Sequence, residues 1–406
     1  MSTLEQIAEL ERKCLLQTYN RYPVVLSRGK GVFVYDVEGK RYLDLVAGLG
    51  VNALGHAHPR IVKAIREQAA KLVHVSNQYY HEYQGGLAEK LCALSGGASG
   101  MSRAFFSNSG TEAIEGSIKL ARLAGHRAGG TSKSRLVALE GSYHGRTFGA
   151  LSLTGQDKHR KGFEPLLEDV SFVKQNDLEG LRTAVNDETC AIVLEPIFGE
   201  GGIRECSVEF LRDCRTLADR HRAALIFDEI QCGLGRTGTI FAFQTFGVTP
   251  DMVAIAKPLA AGLPLGAFLA KEEFASAISP GQHGTTFGGG PLACRVALEF
   301  LAIVEEENLL ENVKKVGAYL EQQLKELSGK RAAVKEVRGR GLIQGVQLDI
   351  PARPIVDAAL AEGVLFNSTQ ETVVRFLPPF LLEEKHVDKG IRVLKKLLGK
   401  RREKAS

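Results

Sequence analysis

No apolar run in this 406-residue chain approaches the roughly 18–20 residues that a membrane span requires. No C-x-x-C pair occurs, and the seven cysteines, at 14, 92, 190, 206, 214, 232 and 294, are odd in number and scattered. That argues against a disulfide framework or a zinc ribbon and fits a reducing cytosol. No G-x-x-x-x-G-K-[ST] loop is present to hold a triphosphate, which excludes a Walker-type nucleotidase. The opening MSTLEQIAELERK is polar and acidic, so it reads neither as a signal peptide nor as a basic targeting segment. Repeats, low-complexity stretches and flexible linkers are also missing. The net charge is only +5, and much of the surplus sits near the end, at Lys395, Lys396, Lys400, Arg401, Arg402 and Lys404. No aromatic residue is interleaved there, so the run reads as a solvated helix end rather than a nucleic-acid arm. A soluble cytoplasmic protein without membrane or nucleic-acid partners is expected.

What is present is ordinary in bulk, with 44% apolar and 24% charged residues, and long enough for two or three domains. Residues 1–22 read as a helix with Leu4, Ile7, Leu10 and Cys14 on one face. Two alternating runs around Asp36-Val37-Glu38-Gly39 predict a hairpin. From about 55 to 295, strand-like and helical runs alternate, which predicts a mostly parallel sheet covered by helices. After 296 come long charged helices, strands over 334–346 and 372–377, and a final helix. The expected division is 1–54, an N-terminal helix and hairpin packing with the small domain; 55–295, a large cofactor domain; and 296–406, a small α+β domain.

Two apolar runs end in charge. Ala223–Phe227 leads to Asp228-Glu229, and Asp251–Ala256 leads to Lys257, 29 positions after Asp228. Both read as buried parallel strands delivering a charged residue at the sheet edge where α/β proteins bind ligands. Alternation sends Asp228 and Glu229 to opposite sides, so one of them faces a ligand. Burial lowers a lysine's pKa, as an amine that forms Schiff bases needs. A lysine and a carboxylate converging there are the parts that hold pyridoxal phosphate, with the carboxylate facing the pyridinium nitrogen.

Other motifs follow strands in the same region. Ser107-Asn108-Ser109-Gly110-Thr111-Glu112 has an S-x-x-E capping box and opens a helix; it is a phosphate site or simply a capped helix. In Tyr143-His144-Gly145-Arg146 a ring available for stacking accompanies a guanidinium suited to a carboxylate, or the stretch is a surface turn. Glu195 and Glu200 serve acid–base work or pair with an arginine. Gly233–Gly238 satisfies G-x-G-x-x-G, but five residues separate it from the strand end, and Thr239–Phe243 behind it reads as strand, so the dinucleotide reading is weak. His56 and His58 read as exposed turn histidines, not a metal pair.

Taken together, these segments resemble the class III aminotransferases of the fold-type I pyridoxal-phosphate superfamily. The resemblance runs from about Tyr19 to Pro379, through VNALGHAHP at 51–59, SNSGTEA at 107–113, YHGRT at 143–147, LEPIFGEGG at 194–202, FDEIQCGLGRTG at 227–238 and HGTTFGG at 283–289. It implies an α/β fold-type I architecture and pyridoxal 5'-phosphate as cofactor. Lys257 would be the Schiff-base lysine and proton shuttle, with Asp228 at the pyridine nitrogen, Tyr143 stacked on the ring and Gln231 at its hydroxyl. Ser109, Gly110 and Thr111 would hold the phosphate. Thr286 would reach the phosphate of a neighbouring subunit in a homodimer. Arg146, with Tyr19 nearby, would take the α-carboxylate of an ω-amino donor. Arg375 would take that of glutamate, and Glu200 would pair with Arg375 or release it.

VNALGH and the compact length favour the branch that moves the ω-amine of N-acetylornithine to 2-oxoglutarate, a step of arginine biosynthesis. Ornithine, succinylornithine and succinyl-diaminopimelate are the alternative donors, and a nicotinamide oxidoreductase is the remote alternative. Gly290, Cys232 and Phe198 depart from the family's usual Asn, Thr and Gln.

Overall fold

A computed structural model describes residues 3–97 and 100–402. Its centre is a seven-stranded sheet in the spatial order Arg103–Ser107, Gly266–Ala270, Met252–Ile255, Ala224–Asp228, Thr189–Leu194, Arg135–Leu139, Val170–Val173. Gly266–Ala270 runs antiparallel to both neighbours, and every other pairing is parallel. The middle strands are buried along their whole length. Their alternate residues feed two separate cores. Leu225, Phe227, Val253 and Ile255 enter one, and Ala224, Ile226, Met252 and Ala254 the other. Apolar cover on both faces explains the uninterrupted apolar runs.

Two smaller sheets flank this one. The hairpin Phe33–Asp36/Arg41–Asp44 forms as expected, because Asp36 accepts from the N–H groups of Glu38 and Lys40 in the turn. Leu26–Lys30 extends it on one side, and on the other it takes in Val364–Leu365, far along the chain, as a parallel strand. The third sheet is antiparallel, in the order Val334–Arg340, Ile343–Leu348, Val373–Phe376, Asn367–Thr369. The run read as strand over 334–346 is therefore a hairpin, turned at Gly341 with φ 55°. Among the described residues no helix is long and apolar enough to cross a membrane.

Three local expectations need correction. The first helix covers Leu4–Cys14 and does not continue to 22. Thr3 and Gln6 close a capping box at its start, but none of its residues is buried, so no packing extends it past Leu15. Met1 and Ser2 of that reading, and Lys404 of the basic run, lie outside the described residues. The segment read as strand over 239–243 instead enters the helix Ala242–Phe246. Glu229 decides this, since its carboxylate accepts from the N–H groups of Ala242 at 2.6 Å and Phe243 at 2.7 Å, a helix start capped from another strand. His56 and His58 are not exposed. His56 pairs with Asp44 at 2.8 Å, and His58, whose side chain is 10% exposed, lies 3.5 Å from Glu307.

Candidate active site

The strands of the central sheet that run in the common direction end at one edge, where a cavity of about 410 Å³ opens. Lys257, two residues beyond Met252–Ile255, and Asp228, the last residue of Ala224–Asp228, both line it. Glu229 does not, having turned to cap the helix at Ala242. Burial drives the Lys257 amine below its ordinary pKa, against the opposing pull of Glu200. A larger fraction of it is therefore an unprotonated nucleophile near neutral pH.

Asp228 is 3% exposed, and His144 holds it from behind, with Nδ1 2.8 Å from Asp228 Oδ2. Burial would push the imidazole down, but Asp228's hydrogen bond and charge outweigh it, and the His144 pKa is raised. Its Nε2 is buried without a partner. Glu195 completes this polar floor, accepting from Tyr143 N at 2.9 Å and Gly199 N at 3.0 Å. Burial, then the nearby Asp228 charge, pushes its carboxyl up to about 7.

The helix Gly110–Gly129 starts at the cavity. Ser109 Oγ accepts from Glu112 N at 3.3 Å, but the Glu112 carboxylate takes Asn108 N rather than Ser109 N, so the capping box closes one residue early. Among the described residues the N–H groups of Gly110 and Thr111 have no acceptor, which leaves an anion cradle at the positive end of a 20-residue helix. Thr111 Oγ1 meets Thr147 Oγ1 at 2.7 Å and so ties this cradle to the Tyr143–Arg146 loop. That close approach requires glycine at 145, where a Cβ would stand 2.2 Å from Thr111 Oγ1. Arg146 is exposed and donates from Nε to Tyr143 Oη at 3.2 Å.

Arg375 lies in the wall behind Glu200, 1% exposed. Its Nη1 donates to Glu200 Oε1 at 2.6 Å and to Gln231 Oε1 and Gly199 O, both at 3.1 Å. Burial works against the Glu200 charge, yet the Arg375 charge and hydrogen bond hold its carboxyl below the usual range. Gln231 thus contacts the arginine as well as the cavity. Three expected residues do not line this cavity. Arg375 stands one layer behind Glu200, Tyr19 is 75% exposed, and Thr286 lies exposed on the 283–289 loop.

Sequence reasoning missed Asn367, whose Oδ1 accepts from Arg375 Nε at 2.9 Å and Nη2 at 2.5 Å. The signal lay in the hairpin register, which sets Asn367 directly opposite Arg375. It also missed Arg236, inside the Gly233–Gly238 loop. This residue is fully buried and donates to the carbonyls of Gly50, Leu342 and Pro378. Filled by that side chain and packed against Phe380 at Gly235, the loop leaves no room for a dinucleotide.

The residues present fit pyridoxal phosphate. An amine of lowered pKa, a buried carboxylate, an aromatic ring and a helix-end anion cradle share one cavity. Comparison with known proteins agrees. The family described as Aminotransferase class-III matches residues 16–398. An acetylornithine aminotransferase of Methanocaldococcus jannaschii is 46% identical over 390 residues, covering 96% of this chain and 97% of its own. An ornithine aminotransferase structure from Toxoplasma gondii superposes with a TM-score of 0.94 at 30% identity, covering 100% of this chain and 97% of that one. A second structure of that enzyme has a TM-score of 0.91 at 30% identity over 98% of this chain and 94% of that one, and its description places PLP at the active site. A match over nearly the full length, joined to a cavity that fits the coenzyme, shows that the chain belongs to the class-III aminotransferases, which work with pyridoxal phosphate.

Proposed function

We propose that this enzyme moves the ω-amino group of N-acetylornithine to 2-oxoglutarate, giving N-acetylglutamate 5-semialdehyde and glutamate. The observation that carries this reading is the Glu200–Arg375 pair in the cavity wall. One site must accept an amine remote from any α-carboxylate and, in the other half of the cycle, an amine beside one. With Glu200 in place, Arg375 is masked for the ω-amino donor. With Glu200 turned away, Arg375 meets the α-carboxylate of glutamate. The name of the Methanocaldococcus relative supports the acetylated donor.

Ser109, Gly110 and Thr111 would hold the coenzyme's phosphate, Tyr143 its ring face, Asp228 its pyridine nitrogen and Gln231 its hydroxyl edge. Bound there, the coenzyme supplies an electron sink for the carbon that loses its proton. The chain supplies the rest. Lys257 Nζ would take that proton and return it two bonds away, on the far side of the amine nitrogen, a role suited to its depressed pKa. His144 keeps the Asp228 carboxylate oriented, which matters most as negative charge develops. Arg146, on the open side, takes the α-carboxylate of the ω-amino donor.

The proposed active form is a cytoplasmic homodimer in which Thr286 reaches the partner's phosphate. Support comes from exposed Tyr79, Tyr80, Phe148 and Phe287, and from seven unpaired cysteines. The proposed domains, 1–54 with 296–406 against 55–295, accord with the strand Val364–Leu365 joining the N-terminal hairpin. Side-by-side kinetics with N-acetylornithine, ornithine, succinylornithine and succinyl-diaminopimelate test the donor. The highest kcat/KM is expected for N-acetylornithine, and a preference for free ornithine would overturn the assignment.

A further inference from the structure

Four groups surround the Arg375 guanidinium, and among the described residues only Glu200 brings a charge. The others, Gly199 O, Gln231 Oε1 and Asn367 Oδ1, are neutral. Asn367 differs from the first two in its geometry. Its single oxygen receives both Nε and Nη2, the edge of the guanidinium away from the Nη1 contacts with Glu200 and Gln231. Two donors converging on one atom identify it as the amide oxygen, since arginine offers donors alone. The bracket is built into the fold, because Asn367–Thr369 and Val373–Phe376 pair with Asn367 opposite Arg375. Its rear side borders a second, largely apolar cavity lined by Leu49, Val356 and Phe366, where low polarity strengthens such a bond.

We infer that Asn367 is a positioning residue that sets the enzyme's specificity for dicarboxylates, resting on the role given above to Arg375. The bracket holds the guanidinium plane without consuming its charge. Glu200 is then the sole anion on a buried cation, and its side chain is 29% exposed, free to turn toward water. Binding the α-carboxylate of glutamate or 2-oxoglutarate becomes an exchange of one carboxylate for another at constant local charge. An aspartate at 367 would instead form a permanent bidentate pair with Arg375. The incoming carboxylate would then enter a shell already neutralised, at a Coulombic cost that nothing local relieves.

The test uses the holoenzyme and glutarate, a dicarboxylate without an amine, read through its perturbation of the coenzyme's visible absorbance. Asn367→Asp is expected to raise the glutarate Kd and the glutamate KM about tenfold or more, while the N-acetylornithine KM shifts far less. Glu200→Ala should tighten glutarate, and Asn367→Asp added to it should reverse that gain. Asn367→Ala, which loses the bracket without adding charge, should show the same asymmetry in weaker form, and it carries the test if the aspartate variant does not fold. Unchanged glutarate and glutamate constants in Asn367→Asp would overturn the inference. So would equal losses in both half-reactions, which mark a merely structural residue. A wild-type enzyme that ignores glutarate would instead overturn the reading of Arg375 itself.

Discussion

Among the described residues two arginines are buried almost without trace of solvent, and they are solvated in opposite ways. Arg375 has a carboxylate against it, together with neutral oxygens that hold its plane. Arg236 has no carboxylate against it among the described residues. It donates to the backbone carbonyls of Gly50, Leu342 and Pro378, lies 4.6 Å from the Phe380 ring, and leaves Nε unpartnered. Burial with no compensating anion pushes its pKa down to about 9. The three carbonyls belong to distant parts of the chain, so Arg236 staples them. Carbonyl dipoles cannot leave without unfolding a segment, whereas a carboxylate side chain can turn on its own bonds. The difference teaches that a buried cation held by backbone serves the fold, and one held by a mobile acid serves exchange.

Lys257 is close to Arg236 and feels the Arg375 charge, and it gives the largest effect. A Cβ on Gly50 would stand 4.0 Å from Lys257 Cδ and 3.8 Å from Arg236 Nη2, and the Arg375 charge also acts on the lysine. Lys257→Ala should abolish turnover and the coenzyme's bound absorbance band while the melting temperature of the coenzyme-free protein holds. Retention of that band together with turnover would remove the lysine from its role. Next comes Arg236→Met, which strands three buried carbonyls and should cost on the order of 3–5 kcal/mol in denaturant titration. A wild-type unfolding midpoint would break the comparison outright.

Arg375→Ala should do the reverse. Glutamate kcat/KM should fall by about 10²–10³-fold, since truncating one partner of a buried charged pair costs roughly 2–5 kcal/mol. Stability should drop less than in Arg236→Met, because the freed Glu200 can reach water. Equal stability losses in the two arginine variants would erase the distinction. A smaller effect sharpens it: Glu200→Ala should unmask Arg375 and improve glutamate relative to N-acetylornithine, read as separate half-reaction rates.

The smallest effect is on pH dependence. Folding raises the Glu195 carboxyl from 4.5 to about 7, so between those values the folded chain holds more protons than the unfolded one. Stability of the coenzyme-free protein should therefore decline as pH rises through that window. His144, also raised in the folded state, adds a contribution present below its ordinary value of 6.5 and lost as pH climbs past its folded one. Melting temperatures between about pH 5 and pH 8 test this, and Glu195→Gln should flatten the slope. A rising or flat wild-type profile would contradict it.

Much of the site was legible because strand tips are local features. An apolar run ending in Asp228 or Lys257 announces both a buried strand and the edge at which it delivers its charge. The same holds for Ser109 at a helix start. What stayed hidden was set by pairing across distance. Nothing around Thr239 reveals that Glu229 will cap the helix at Ala242, because strand propensity there is overridden by a carboxylate from another element. Nothing in Gly233–Gly238 reveals that its arginine turns inward to three carbonyls rather than outward.

By itself the sequence determined the class of chemistry, since residue type and hydrophobic period are carried by the chain and survive without a partner. The tertiary structure alone decided who surrounds each charge. Only folding brings His144 to Asp228, Asn367 and Glu200 to Arg375, and bare backbone to Arg236. Whether a buried charge is catalytic, exchangeable or structural depends on its neighbours' mobility and dielectric, and those are properties of packing.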